Sequence, residues 1–191
     1  MTPRAWSRTR AVRVGTPHRS RHGRSDQVHV ERVRPGPGQE SVWDYPRPPL
    51  VQPTTRHLEV VYDGRTIAET TRGLRVLETS HAPVYYFPLD DVAPGVLEPS
   101  ARSTYCEFKG EARYYTVISG EHRAADAAWG YTVPAPGYER LAGHVAFHPA
   151  LMDECRVDGE VATPQPGRYY GGWITRDVVG PFKGEAGTSG W

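Results

Sequence analysis

Short runs in which β-branched and aromatic residues alternate with charged residues recur along this chain, and they predict β-strands. The clearest example is residues 58–69, where Asp63-Gly64 separates two such runs and predicts a hairpin turn with positive φ angles. Further strands are predicted at 74–79, 83–87, 127–133, 144–148 and 153–157. Residues 119–126 are small, charged and glycine-bearing, which predicts a loop. No amphipathic run is long enough for a regular helix, so the pattern predicts an antiparallel all-β domain with little helix.

The most informative stretch is Ser103–Val117, which the alternation divides into two β-segments that meet at Gly110. On an extended backbone, Glu107 and Lys109 share one face, and Cys106 and Phe108 share the other. A carboxylate and an ammonium on one face indicate a site for a polar ligand or for proton transfer. A plain cross-strand ion pair explains the same pattern.

The first 39 residues differ in composition from the rest of the chain. They contain nine arginines, no lysine and two acidic residues, and they end in the Pro-Gly-Pro-Gly boundary at 35–38. We interpret residues 1–39 as a disordered extension and residues 40–191 as a single β domain. A contact with nucleic acid is the less favoured alternative, because the arginines are not interleaved with aromatic residues. A contact with an acidic protein partner is a further alternative.

Several classes of protein are disfavoured by what the sequence lacks. No apolar run approaches the roughly 18 residues of a membrane span, and no apolar stretch follows the N-terminal arginines, so we expect a cytoplasmic protein without a secretory signal. Cys106 and Cys155 are separate cysteines, interpreted as buried thiols rather than as a disulfide or metal ligands. His144 and His148 would lie about 13 Å apart on a strand, so we predict no metal and no cofactor.

One pentapeptide occurs twice, at residues 108–112 and 182–186, and reads Phe-Lys-Gly-Glu-Ala in both places. The two copies contain Lys109 and Lys183, the only lysines of the chain. The two Asp-Gly pairs, at 63–64 and 158–159, have a different spacing from the pentapeptides, so no tandem repeat is indicated.

An ordered series of motifs resembles a known family. The motifs are Glu-Ser-Val-Trp-Asp-Tyr-Pro-Arg-Pro-Pro at 40–49, Val-Leu-Glu-Thr-Ser-His at 76–81, Tyr-Cys-Glu-Phe-Lys-Gly at 105–110, Ala-Trp-Gly-Tyr at 128–131, Gly-His-Val-Ala-Phe at 143–147, and Gly-Trp-Ile-Thr at 172–175 with Gly-Pro-Phe-Lys-Gly at 180–184. Over roughly residues 40–184 the chain resembles the DUF427 family, which is sometimes labelled nucleotidyltransferase-like. The resemblance implies a β-tent fold, in which two antiparallel sheets lean together and leave a pocket between them. Relatives with this architecture bind small ligands in aromatic cages and hold zinc through paired CxxC motifs, which this chain lacks.

These observations predict a ligand pocket with polar and aromatic walls. Its polar candidates, for binding or catalysis, are Glu78, Glu107 and Lys109. Its aromatic candidates are Trp43, Tyr115, Trp129, Tyr131 and Trp173, and core packing is the alternative for each of them.

The favoured function is the binding of a small polar or planar molecule. One alternative is an enzyme that uses Glu107 or Glu78 as acid or base with Lys109 orienting an anion. Another is a protein-interaction domain with a basic arm. No P-loop and no nucleophile elbow is present, so no motif supports nucleotidyl transfer.

Overall fold

The computed structural model describes residues 30–188 and 191. Its strands are β1 (Glu40–Ser41), β2 (Leu50–Pro53), β3 (Leu58–Tyr62), β4 (Arg65–Thr70), β5 (Leu74–Leu77), β6 (Val84–Pro88), β7 (Leu97–Cys106), β8 (Gly110–Ser119), β9 (His122–Gly130), β10 (His144–Phe147), β11 (Glu154–Val157), β12 (Glu160–Val161), β13 (Thr163–Pro164), β14 (Trp173–Ile174) and β15 (Val178–Val179). Helical structure in this part of the chain is limited to single 3₁₀ turns at Val42–Asp44, Leu89–Asp91, Glu139–Leu141 and Pro149–Leu151. The predicted all-β class with little helix is confirmed.

Two antiparallel sheets form the body of the domain. A seven-stranded sheet has the order β2-β5-β6-β10-β9-β8-β7, and a four-stranded sheet has the order β12-β11-β3-β4. A parallel pair of β1 and β15 and an antiparallel pair of β13 and β14 lie outside these sheets. No helix of the described residues is long and apolar enough to cross a membrane.

The predicted N-terminal extension is only partly described. Residues 1–29 lie outside the described residues. Residues 30–39 have no regular secondary structure, and the Val33 N–H donates to the Gly180 carbonyl at 3.1 Å. Glu40, where we predicted the folded domain to begin, is the first residue of β1.

The main core fills the space between the two large sheets. Leu58 and Val60 of β3 meet Tyr85 and Phe87 of β6 there, and all four are fully buried. Trp173 joins the same cluster and is also fully buried. Burial of this many large apolar side chains is the main favourable term in the stability of the domain.

The seven-stranded sheet is covered on its other face as well. Because successive side chains of a strand point to opposite faces, Tyr86 lies on the face that Tyr85 and Phe87 do not share. Tyr86, Leu74, Leu141 and other residues form a second buried cluster on this outer face.

The predicted hairpin is present, and its turn has the predicted conformation. Asp63 and Gly64 connect β3 to β4 with φ angles of 55° and 66°. Asp158 and Gly159 connect β11 to β12 in the same way, with φ angles of 52° and 81°. Asn, Asp and Gly tolerate such angles best, which explains why this pair of residues indicates hairpins in the sequence.

Two local predictions were wrong. Residues 119–126 were predicted as a loop, but β9 already begins at His122, which is opposite Ser119 of β8. The short turn at residues 120–121 leaves the remaining small residues free to pair along β8. The segment at 103–109 was predicted as strand to its end, but residues 107–109 form the turn from β7 to β8. Glu107 and Lys109 therefore do not share a strand face as predicted, because the backbone between them is a turn and is not extended.

Candidate functional site

A cavity with a volume of about 460 Å³ lies on the outer face of the seven-stranded sheet. Its floor comes from β5, β6, β8 and β9, and the segment 165–172 contributes the opposite wall. The resemblance implied a pocket between the two sheets. That space is instead filled by the main core, so the cavity lies on the other side of the larger sheet.

An aromatic row forms the floor. The row crosses the neighbouring strands β6, β10, β9 and β8, where the residues directly opposite one another are Tyr86, Ala146, Trp129 and Tyr114. The small side chain of Ala146 leaves room for the Trp129 Nε1–H to donate to the Tyr86 hydroxyl at 3.2 Å. Burial raises the pKa of Tyr86, so its hydroxyl stays protonated at neutral pH.

Two glycines let the opposite wall approach the floor closely. A Cβ atom on Gly171 would overlap the end of the Trp129 indole, and one on Gly172 would overlap the Gln165 side chain. The Gln165 Oε1 accepts a hydrogen bond from the Ala82 N–H at 2.9 Å, which ties the wall to the end of the floor. Only glycine permits this separation of wall and floor.

A carboxylate and an ammonium lie at one end of the cavity. Glu78 directly follows β5, and Lys109 ends the turn between β7 and β8. The two charged atoms Lys109 Nζ and Glu78 Oε2 are 3.9 Å apart. Lys109 is only 9% exposed, and its carbonyl accepts from the Ala135 N–H at 2.9 Å, which fixes the backbone of the turn.

Glu78 has a second cationic partner that the sequence analysis did not identify. Arg47 Nη1 donates to Glu78 Oε1 at 2.9 Å, and Arg47 Nη2 donates to Glu107 Oε1 at 2.9 Å. The same guanidinium lies over the Phe108 ring, 5.2 Å from its centroid. Arg47 therefore holds Glu78 from outside the cavity while Lys109 faces it from the lining.

Two histidines also line the cavity, and both favour the neutral form. The His81 Nδ1–H donates to the Thr79 carbonyl at 2.9 Å, which leaves Nε2 unprotonated in the neutral ring. Burial lowers the pKa of His81, and burial also lowers the pKa of His148. Tyr170 packs against His81 edge to face, with 5.2 Å between ring centroids.

A second charged pair lies at another part of the lining. Arg102 Nη1 is 3.5 Å from Asp126 Oδ2, and its guanidinium lies 4.7 Å from the centroid of Tyr114. Ser100 donates to the other oxygen of Asp126. Asp126 is thus satisfied within the domain.

A comparison with protein families identifies the chain. The model of the domain of unknown function DUF427 matches residues 50–158, which is more than half of the chain. The chain belongs to the DUF427 family. No curated protein matches it.

The DUF427 match begins at the first residue of β2 and ends one residue after β11. It includes the aromatic floor together with Glu78 and Lys109. The glycine-bearing wall at 165–172 lies beyond the matched residues. Most of the cavity is therefore built by the part of the chain that matches the family.

Four of the eight residues that we predicted for the pocket line this cavity: Glu78, Lys109, Trp129 and Tyr131. Burial raises the pKa of Tyr131, as it does for its neighbour Tyr86. The other four predicted residues, which are Trp43, Glu107, Tyr115 and Trp173, lie elsewhere. The eight predicted residues therefore do not all converge on one cavity.

Each of these four residues has a definite place in the fold. Tyr115 packs against the main core, because it neighbours Tyr114 on β8 and therefore points to the opposite face. Trp173 is inside that core. The Trp43 Nε1–H donates to the Pro181 carbonyl at 2.9 Å, in a separate cluster with Val42. The Glu107 side chain is 67% exposed because it begins the turn rather than lying on a strand.

Five further lining residues were not predicted from the sequence: Tyr86, Tyr114, Tyr170, His81 and His148. Alternation along β6 and β8 separates Tyr86 from Tyr85 and Tyr114 from Tyr115, but it does not say which member of each pair faces the cavity. His81 ends one of the family motifs, which was a usable signal. Tyr170 is on a segment without regular strands, where no periodicity exists to place it.

Residues suited to metals are dispersed in the described part of the chain, which contains no group of three or more His, Cys, Asp or Glu side chains able to hold an ion. Both cysteines are free thiols. Cys155 is buried in the main core, and burial raises the pKa of its thiol. Cys106 is half-buried at the end of β7.

Proposed function

We propose that this DUF427 domain binds a small planar molecule in the cavity on the outer face of the seven-stranded sheet. The observation that carries the proposal is the burial of Lys109 in the lining of a cavity whose floor is formed by Tyr86, Trp129 and Tyr114. A volume of about 460 Å³ is within the range of small-molecule sites, which are mostly apolar and contain a few polar groups.

A purely structural role explains Lys109 poorly. Burying an ammonium is costly unless close partners compensate for the lost hydration. At 3.9 Å from Glu78 Oε2, Lys109 Nζ is beyond hydrogen-bond distance, and among the described residues it donates no hydrogen bond. Lys109 Nζ is not among the fully enclosed polar atoms without a partner, so its N–H groups face the cavity, where a bound polar ligand would replace water as their acceptor.

The aromatic floor supports a planar ligand. Trp129 and Tyr114 lie with their ring centroids 6.5 Å apart and their planes inclined by 34°. Both side chains are only partly buried, so part of each ring borders the cavity. A flat ligand gains dispersion and stacking energy from such surfaces.

Catalysis that uses Glu78 as acid or base is the second candidate, favoured because Glu78 and Lys109 line the same cavity. The related use of Glu107 loses support, since its side chain lies outside the cavity. For an enzyme, Glu78→Gln would abolish the conversion of a bound compound without releasing that compound. For a binding module, the compound would be recovered unchanged from both the wild type and Glu78→Gln.

The proposal is tested by filling the cavity from an exposed position. Ala125 lies exposed on β9 and lines the cavity, so Ala125→Trp places an indole at the site without disturbing the main core. Ala101 is exposed on β7 and outside the lining, so Ala101→Trp is the matched control. Small molecules released from each purified protein are measured by mass spectrometry.

We expect one compound to be retained by the wild-type chain and by Ala101→Trp but lost from Ala125→Trp. Retention of the same compound by Ala125→Trp would place its binding elsewhere on the protein and refute the proposal.

A further inference from the structure

The charges around the cavity are not balanced. Lys109, Arg102 and Arg168 contribute three positive charges to the lining, and Glu78 and Asp126 contribute two negative charges. Arg168 is exposed and forms no ion pair with a described residue. The lining therefore carries a net positive charge when both histidines are neutral.

The two carboxylates are already engaged by groups of the protein. Asp126 is paired with Arg102 and accepts a hydrogen bond from Ser100. Glu78 shares its charge between Arg47, which it contacts at 2.9 Å, and Lys109 at the longer distance of 3.9 Å. The shorter contact is the stronger one, so Lys109 is only partly neutralised.

Lys109 also retains its capacity to donate hydrogen bonds. An ammonium has three N–H donors, and none of them reaches a described acceptor within hydrogen-bond distance. The strongest acceptor for such a donor is an anionic oxygen, because charge-assisted hydrogen bonds are shorter and stronger than neutral ones. A bound anion would supply both the negative charge that balances Lys109 and oxygen acceptors for its N–H groups.

We infer that the ligand of this cavity is an anion: a planar molecule whose carboxylate or phosphate oxygen accepts a hydrogen bond from Lys109 Nζ. This inference rests on the proposed function and narrows its ligand class. The planar body of the ligand faces Trp129 and Tyr114, and the anionic group lies at the end of the cavity that Lys109 and Glu78 form.

The test uses three probes with the same aromatic body, namely 2-naphthoate, 2-naphthyl phosphate and the neutral 2-naphthamide. Their dissociation constants are measured by calorimetry on the full chain. We expect at least one of the anions to bind about tenfold or more tightly than the amide. The stronger anion identifies whether a carboxylate or a phosphate suits the site.

The chain offers a matched control for the lysine. Lys183 lies in the second copy of the pentapeptide, outside the cavity lining, and its Nζ donates to the Trp191 carbonyl. Lys109→Met should remove the preference for the anion, whereas Lys183→Met should keep it. The preference should persist in 0.5 M NaCl, because a buried ammonium is screened less than exposed arginines are.

A second variant keeps the inference testable if Lys109→Met does not fold. Glu78→Gln preserves the shape of the side chain and removes the negative charge beside Lys109. It should therefore bind the preferred anion more tightly than the wild type does, by about threefold or more. Weaker binding of the anion by folded Glu78→Gln would contradict the inference.

The outcomes separate this inference from the proposed function. If the amide binds as tightly as both anions, the cavity is a ligand site but the anion inference is wrong. If none of the three probes binds, the anion inference is wrong; if Ala125→Trp also retains the compound found in the wild type, the proposed function is refuted as well.

Discussion

Replacing Trp173 with phenylalanine tests whether Trp173 stabilises the main core, whereas Trp129 lines the cavity. Trp173 is fully buried in the main core, with its ring centroid 5.3 Å from that of Tyr85 and 6.0 Å from that of Phe87. Its Nε1–H donates to the Phe147 carbonyl at 3.3 Å. Trp173→Phe therefore removes part of a buried ring and one hydrogen bond without adding any new polar group.

The expected cost follows from three effects. Loss of the additional ring atoms removes about 1 kcal/mol of transfer free energy. The space left behind costs about 1 kcal/mol more where the core does not collapse. The Phe147 carbonyl loses a weak hydrogen bond, which contributes about 0.5 kcal/mol at this distance. We expect the free energy of unfolding to fall by about 2–3 kcal/mol, a large share of the stability of an ordinary domain.

Urea denaturation followed by circular dichroism measures this loss, and a fall of this size shifts the midpoint by about 1 M urea. Trp129→Phe is the matched control, because Trp129 lines the cavity and is only half-buried. Its midpoint should move less than that of Trp173→Phe, while its affinity for the planar ligand should fall more. An unchanged midpoint for Trp173→Phe, or a larger loss of ligand affinity than in Trp129→Phe, would refute the assignment of these side chains.

Three further substitutions test other features. His81→Gln should make the urea midpoint less sensitive to acid. Burial lowers the pKa of His81 below its unfolded value near 6.5, so the contribution of His81 to stability is present above that pH and is lost as the pH falls. If the midpoint difference between pH 7.5 and pH 5.5 is the same in His81→Gln as in the wild type, this explanation is wrong. Gly171→Ala should reduce stability by about 1–3 kcal/mol and change the emission of Trp129, since its Cβ would overlap that indole. Gly64→Ala should cost about 1 kcal/mol through its φ angle of 66° alone and leave Trp129 emission unchanged, since nothing lies within 4 Å of the added carbon; equal emission changes in the two glycine variants would refute this distinction.

The sequence predicted local structure where the residue types restrict the backbone. The Asp63-Gly64 turn was predictable because few residue pairs adopt the backbone angles of a two-residue hairpin. Family membership was predictable because the order of the motifs can be read directly from the sequence, whatever structural role each motif has. Glu78 and Lys109 were each predictable as pocket candidates because each lies within one of those motifs, but the ion pair predicted for Lys109 was with Glu107.

The sequence was a weaker guide to which side of the sheet a residue occupies. Alternation assigns Tyr114 and Tyr115 to different faces, but both faces of the seven-stranded sheet are covered by apolar residues. Hydrophobicity therefore does not distinguish the core face from the cavity face. Trp173 and Trp129 were equally plausible as cavity walls for the same reason, and only the packing of distant strands separates them.

The position of the cavity has a consequence for how ligand selectivity is set. Its floor belongs to strands whose opposite face is packed into the main core, so Tyr86 cannot move without disturbing Tyr85 and Phe87 on either side of it. The wall at 165–172 has no strand of its own and is tied to the floor by Gln165. Substitutions at the exposed wall residues Arg168 and Tyr169 should therefore change which planar ligand is accepted at little cost in stability, whereas substitutions at Gly171, at Gly172 or in the floor should reduce stability and binding together.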